Sequence, residues 1–225
     1  MFHQIILNLS QKSFNIFKKV NMLQTEQVRR MSKEQVLRHL KSSIITYKQL
    51  DEKLKNDKNI ALVAMQKSGI NLKYASSELQ NDNDVVRVAI QQSGYALSYA
   101  SSRLKTNHYF IDVSLRKSAL VIEYLPETIK NNKDFVMVAV SHNGLALKHV
   151  SEELRNNYDV VLAAVKQNGN AIQYASNELK SNYDIALIAV TQKGMAIQYL
   201  KDDLKDNDKI VFSFLLVIYK MISNY

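Results

Sequence analysis

Between Asp159 and Leu179 the chain reads Asp-Val-Val-Leu-Ala-Ala-Val-Lys-Gln-Asn-Gly-Asn-Ala-Ile-Gln-Tyr-Ala-Ser-Asn-Glu-Leu, and the same frame returns every 25 residues. A small residue recurs at Gly69, Gly94, Ala119, Gly144, Gly169 and Gly194. Five residues later stands a ring: Tyr74, Tyr99, Tyr124, His149, Tyr174 and Tyr199. Five further on come Leu79, Leu104, Ile129, Leu154, Leu179 and Leu204, and no insertion breaks the spacing from Leu54 to Leu204. A fixed apolar frame at a fixed period is the signature of a solenoid. The expected fold is all-α: a right-handed α-α solenoid of short helix pairs with a 25-residue period.

Each unit has room for two short helices. Asp84, Asp134, Asp159 and Asp184 stand before an apolar run, where a carboxylate accepts from free backbone N–H groups, and are read as N-caps. The run from Val85 to Ile90 is β-branched, but its polar continuation at Gln91 and Gln92 does not alternate, and Ala64, Ala89, Ala139, Ala164 and Ala189 suit close helix packing. The glycine is expected to end this first helix in the left-handed conformation. On that reading Gly169→Val strains the backbone more than Gly169→Ala, because Ala119 already holds the site in the third unit. A second helix is expected from Tyr95, with Ala96, Leu97, Ala100 and Leu104 on one face. Pro126, where other units have Ser76, Ser101, Ser151 and Ser176, predicts a kink or restart of that helix. The tyrosine column reads as rings packed between repeats with hydroxyls at the edge, and His149 as a substitute in that column.

The frame weakens at both ends. Residues 1–53 read as a basic N-terminal helical cap, with Phe2, Ile5, Ile6, Leu9, Phe14, Phe17, Val20 and Leu23 in amphipathic helices. A degenerate unit is expected over 30–54, where Glu34, Gln35, Val36 and Leu37 fall in the cap-plus-apolar register. Residues 54–204 form six repeats, and 205–225 a partial seventh repeat or a cap. There Phe214 takes the alanine site and Tyr219 the glycine site. The apolar run is too short to span a bilayer. It reads as a cap, as a self-association surface through residues 210–219, or as part of a longer array.

Chemistry leaves few marks. The chain has no cysteine, hence no disulfide framework and no thiolate site. His3, His39, His108, His142 and His149 lack metal-ligand spacing, and no nucleophile elbow, phosphate loop or dinucleotide fingerprint occurs. No cofactor is expected. The net charge of +9 is uneven: residues 1–50 hold nine Lys or Arg against two acids, whereas the rest is nearly balanced. Lys18, Lys19, Arg29, Arg30, Lys33, Arg38 and Lys41 form a candidate basic patch for a phosphate backbone, anionic lipid or acidic partner. The third unit breaks the frame most: Tyr109 replaces the cap Asp, with Asn107 or Thr106 taking over, Asp112 enters the apolar run, and Pro126 follows. His108, Tyr109, Asp112, Arg116 and Glu123 are the candidate interaction patch. Lysines that follow the first apolar residues give no N-terminal signal peptide.

The phrase from Asp159 to Leu179, with those from Asp84 to Leu104 and Asp184 to Leu204, resembles the repeat of the family described as domain of unknown function 4116. Longer units of that family each hold two copies of the pattern. The resemblance covers residues 54 to about 218, fits the 109–129 copy least and leaves 1–50 outside. The family carries no agreed activity, so it implies no role for Asp159 or Gly169. Such repeats are abundant in intracellular bacteria that inject effectors into host cells, and in protists. The resemblance therefore implies an effector-like protein, cytoplasmic or delivered into a host cell.

The expected function is a non-catalytic protein–protein interaction scaffold, with Lys73, Ser98, Glu123, Lys148, Gln173 and Gln198 as variable solvent positions on a repeated frame. Two alternatives stand beside it. One is nucleic-acid or anionic-lipid binding through the basic N-terminal segment; the other is an enzyme with a site formed across repeats.

Overall fold

The computed structural model describes residues 26–223. The amphipathic helices expected before Leu23 lie outside the described residues. All regular structure among the described residues is helical, and the fold is an all-α solenoid. The chain divides into two units, one up to Gln92 and one from Ser93.

Each repeat holds three elements where two were expected. From Tyr158 to Lys180 the pattern is plain: a long helix Tyr158–Gln167, a 3-10 segment Gly169–Tyr174 and a one-turn helix Asn177–Lys180. The same order runs from Lys58–Lys67 through Asp202–Lys205. Residues 33–55 carry it in shortened form, as Lys33–Lys41, Tyr47–Gln49 and Glu52–Lys55, with Ser43 in between at a φ of 59°. The second helix breaks because Ala175 and Ser176 are extended, with ψ of 161° at both. Ser176 then caps the new turn, its Oγ accepting from the Leu179 N–H at 3.1 Å. Pro126 adopts a similar extended geometry, φ −57° and ψ 154°, so proline marks the restart.

The long helices start two residues earlier than the Asp column predicts. Asn132 Oδ1 accepts from the N–H groups of Asp134 and Phe135, and Asp82 Oδ1 from those of Asp84 and Val85. Asp84, Asp134, Asp159 and Asp184 thus lie inside the first turn. There a carboxylate still complements the helix dipole. Asn107, expected to be an exception of the third unit, caps its helix as its counterparts do. Ser32 and Gln35 form a full capping box at the helix that begins with Lys33.

No described glycine has a positive φ. The left-handed reading is therefore wrong, and the reason for glycine is steric. A Cβ on Gly144 would stand 2.2 Å from the Ala164 carbonyl oxygen, and one on Gly169 2.3 Å from that of Ala189. Glycine opens the 3-10 segment at the point where the backbone of the next long helix lies against it. The next helix also reaches back with its last side chain. Gln167 Oε1 accepts from Gly144 N–H at 2.6 Å while its amide donates to His142 O at 3.3 Å, and Gln192 repeats this on Gly169 and Gln167. Where Ala119 replaces glycine, the backbone before it turns: ψ is 83° at Ser118 against 104° to 120° at Ser68, Ser93, Asn143, Asn168 and Lys193.

The core is a continuous aliphatic column. Val160, Val161, Ala164, Val165, Ala171 and Ile172 are fully buried, and Ala175 and Leu179 nearly so. Burying each large member removes about 1.5–3 kcal/mol of exposed apolar surface. The tyrosine column is not part of this core: Tyr74, Tyr99 and Tyr174 are half-buried and Tyr124 is exposed. A polar spine runs along the one-turn helices. Ser151 Oγ donates to Asn131 Oδ1 at 2.6 Å, Asn131 donates to Glu153 at 3.2 Å, and Asn156 joins Ser176 and Glu178 in the same way. Backbone links from Ser151 N–H to Lys130 O and from Ser176 N–H to Arg155 O reinforce it. One-turn helices cannot nucleate alone, so these contacts hold them.

Since the glycine is needed for space and not for φ, even Gly169→Ala must push two repeats apart. It should cost about 1–3 kcal/mol, as overpacking does. Urea unfolding of wild type and variant measures this, and the alanine change should account for most of the loss seen with Gly169→Val.

Candidate interaction surfaces

The third repeat places its irregular residues on the surface but pairs them separately. Tyr109, Asp112 and Arg116 follow helical spacing along His108–Lys117. Arg116 Nε donates to both carboxylate oxygens of Asp112, at 2.9 and 3.1 Å, and this hydrogen bond holds the guanidinium further above its ordinary range. His108 stands edge-on to Phe135 of the next repeat, ring centres 4.9 Å apart. Tyr109 is 56% exposed and packs edge-on to Phe110. Glu123 lies across from His149, 4.0 Å from Nε2. Burial pushes the His149 imidazole below its ordinary value, against the pull of Glu123. His149 is a half-buried member of the ring column.

Of the candidate basic patch, Lys18 and Lys19 lie outside the described residues. Arg29, Arg30, Arg38 and Lys41 are exposed. Arg38 and Lys41 fall in the last turn of their helix, where cations complement the dipole. Lys33 is engaged, with its ammonium 2.5 Å from Asp57. Burial opposes ionisation of Asp57, yet the Lys33 ammonium and the N–H groups of Ile60 and Asn59 hold its carboxyl below the usual range. The same link recurs from Lys58 to Asp82 and Asp84, and from Lys133 to Asp159. Asp84 and Asp159, read as caps, are thus partners for the preceding repeat's lysine. Exposed pairs of this kind add little each, about 0–1 kcal/mol.

A third surface was missed by reading all recurrent apolar residues as core. On the outward side of the long helices, one register position carries Leu62, Arg87 and Asp112, then Met137, Leu162, Leu187 and Phe212. Met137, Leu162 and Leu187 are only half-buried, and Phe212 is 67% exposed. Val138, Ala163 and Ile188 stand beside them, also half-buried. Between the last long helices lie two open furrows. One, of about 350 Å³, is lined by Lys166, Leu187, Ile188, Thr191 and Gln192. The other, of about 290 Å³, is lined by Thr191, Ser213, Leu216, Val217, Lys220 and Met221. The signal was present in the sequence as a column that is charged at Arg87 and Asp112 and apolar in four successive repeats from Met137 on, within an otherwise constant frame.

These repeats were compared with known families. The family model described as domain of unknown function (DUF4116) matches residues 32–77, 57–105, 110–155 and 157–205. The chain belongs to the DUF4116 family. No curated protein and no solved structure matches it. The DUF4116 match reaches back to Ser32, so the shortened unit that resemblance alone left outside lies within the family, and the match ends at Lys205. Two of the DUF4116 matches run from an N-cap, Asp57 or Asn157, to the end of a one-turn helix at Lys105 or Lys205. Each therefore spans two structural repeats. Among the described residues no helix is long and apolar enough to cross a membrane.

The third repeat also holds Ser114, which takes the site of Ala89, Ala139 and Ala164. It is fully buried and its hydroxyl has no hydrogen-bond partner. Leaving a buried hydroxyl unpaired costs about 1–3 kcal/mol. Ser114→Ala should therefore raise the urea midpoint, by about 1 kcal/mol in stability.

Proposed function

We propose that this DUF4116 chain is a protein-interaction scaffold whose contact face is the outward side of the long helices from Lys133 to Ser223. The observation that supports the reading is the register column Met137, Leu162, Leu187 and Phe212. The frame residues beneath it are fixed by packing: Ala139, Ala164 and Ala189 are fully buried. The outward residues face no such demand, so they vary from repeat to repeat. An apolar row crossing successive helices, with furrows between them and Lys166 and Lys220 at the rim, suits an extended or helical protein segment with acidic flanks. Solenoids present large contact surfaces in this manner.

Immobilised full-length chain should retain a stoichiometric protein partner from its source cell or host. Leu187→Glu should weaken that capture at least about tenfold, the loss expected of a buried interface anchor. Lys73→Glu, on the 3-10 segment away from this row, should leave it unchanged. Absence of any stoichiometric partner, or capture indifferent to Leu187→Glu in a variant that keeps its helical circular dichroism, overturns the proposal.

A further inference from the structure

The helix Asp208–Ser223 departs from the other long helices in a way that selects a partner. Its inner side packs as expected: Ile210 is fully buried, and Phe214 and Val217 lie against Gly194. On the far side Phe212, Leu215, Leu216, Tyr219 and Ile222 follow each other at helical spacing, 42% to 70% exposed. Leu215 is 56% exposed where its counterparts Leu115, Val140, Val165 and Val190 are fully buried. Leu216 takes a position that holds Arg116, Ser141, Lys166 and Thr191 in preceding repeats. Leu216 and Tyr219 are thus large and apolar where other repeats have polar or small residues, and Phe212, Leu215 and Ile222 keep the apolar type of their columns.

We propose that the chain forms a two-fold dimer by antiparallel pairing of this stripe with that of a second copy. The inference deepens the scaffold reading by naming one partner of its contact face. Size supports it: the exposed parts of these five residues amount to roughly 600 Å² per copy, so that two copies reach about 1,200 Å², the lower end of a standard interface. Each copy's share is at the upper end of what a monomer leaves in its largest apolar patch, a size at which such patches commonly serve as contact sites. Charge decides the direction. The helix carries Asp208 and Lys209 at its start and Lys220 near its end. Antiparallel pairing centred between Leu215 and Leu216 sets Phe212 opposite Tyr219 of the second copy. It also brings each Asp208 within about a turn of Lys220 of the second copy. Parallel pairing would set Lys220 against Lys220. An isologous contact of this kind closes on itself and does not propagate into fibres.

Sedimentation velocity at roughly 100 μM, above the micromolar Kd such an interface gives, should show a dimer of the full chain. Leu215→Glu and Leu216→Glu, both at exposed sites, should each return it to monomer without loss of helical circular dichroism. The chain has no cysteine, so introduced thiols report pairing alone. An oxidised mixture of Phe212→Cys and Tyr219→Cys chains should cross-link mainly one to the other. A wild-type monomer at that concentration, a dimer indifferent to both Glu substitutions, or cross-links within each variant instead of between them overturns the proposal. The scaffold reading is scored separately: a monomer that still captures another protein through Leu187 defeats only the dimer, and a dimer that captures nothing defeats only the wider scaffold.

Discussion

In three repeats the backbone of the next long helix lies so near the first residue of the 3-10 segment that no Cβ fits between them. At Gly94, Gly144 and Gly169 a Cβ would stand 2.2 to 2.4 Å from a carbonyl oxygen of that helix. Backbone-to-backbone contact of this kind fixes the rise from one repeat to the next. It requires glycine on one side and a small residue, Ala164 or Ala189, on the other. It also places the terminal Gln of the next helix where its amide bridges two backbone groups. Once that distance is set, the aliphatic side chains on either side meet at close-packed spacing.

The remaining contacts answer the needs of helices too short to stand alone. Four-residue turns such as Asn177–Lys180 are all terminus, so their backbone groups depend on partners outside the turn. Ser, Asn and Glu from adjacent repeats satisfy part of that demand in a spine along one edge. Pro126 has neither an N–H nor a hydroxyl to join the spine, and Thr106 turns its hydroxyl onto the carbonyls of its own helix. The irregularity of the third repeat is thus a local gap in a polar seam, accompanied by the orphaned Ser114 hydroxyl.

A solenoid built this way separates two sets of residues. Those that face the neighbouring repeat are fixed by packing, because a misfit is felt on both sides. Those on the outward side of the long helices are free of that constraint, which lets the row hold Arg87 and Asp112 in some repeats and Leu62, Met137, Leu162, Leu187 and Phe212 in others. Ion pairs such as Lys133 with Asp159 keep the helix starts soluble and aligned without adding much stability. On the proposed scaffold, binding specificity would be set by the side chains of the outward row, with no change of fold needed to alter it.

The sequence by itself determined the period, the helical class and the core columns, because stacking demands the same residue type at the same place in each turn of the solenoid. Leu79, Leu104 and Leu179 are buried as their spacing requires. Local rules misplaced what depends on a neighbour. Asp159 has the look of a cap, but Asn157 two residues earlier also fits, and only the three-dimensional helix start shows that Asn157 accepts from the Val160 N–H while Asp159 meets Lys133. Gly169 has the look of a helix terminator, yet its φ is ordinary and its smallness serves a contact with Ala189, twenty residues along the chain. Leu187 and Leu215 resemble core residues in type, but whether an apolar residue is covered depends on what packs over it. That is a property of the assembled stack, and no window of sequence contains it.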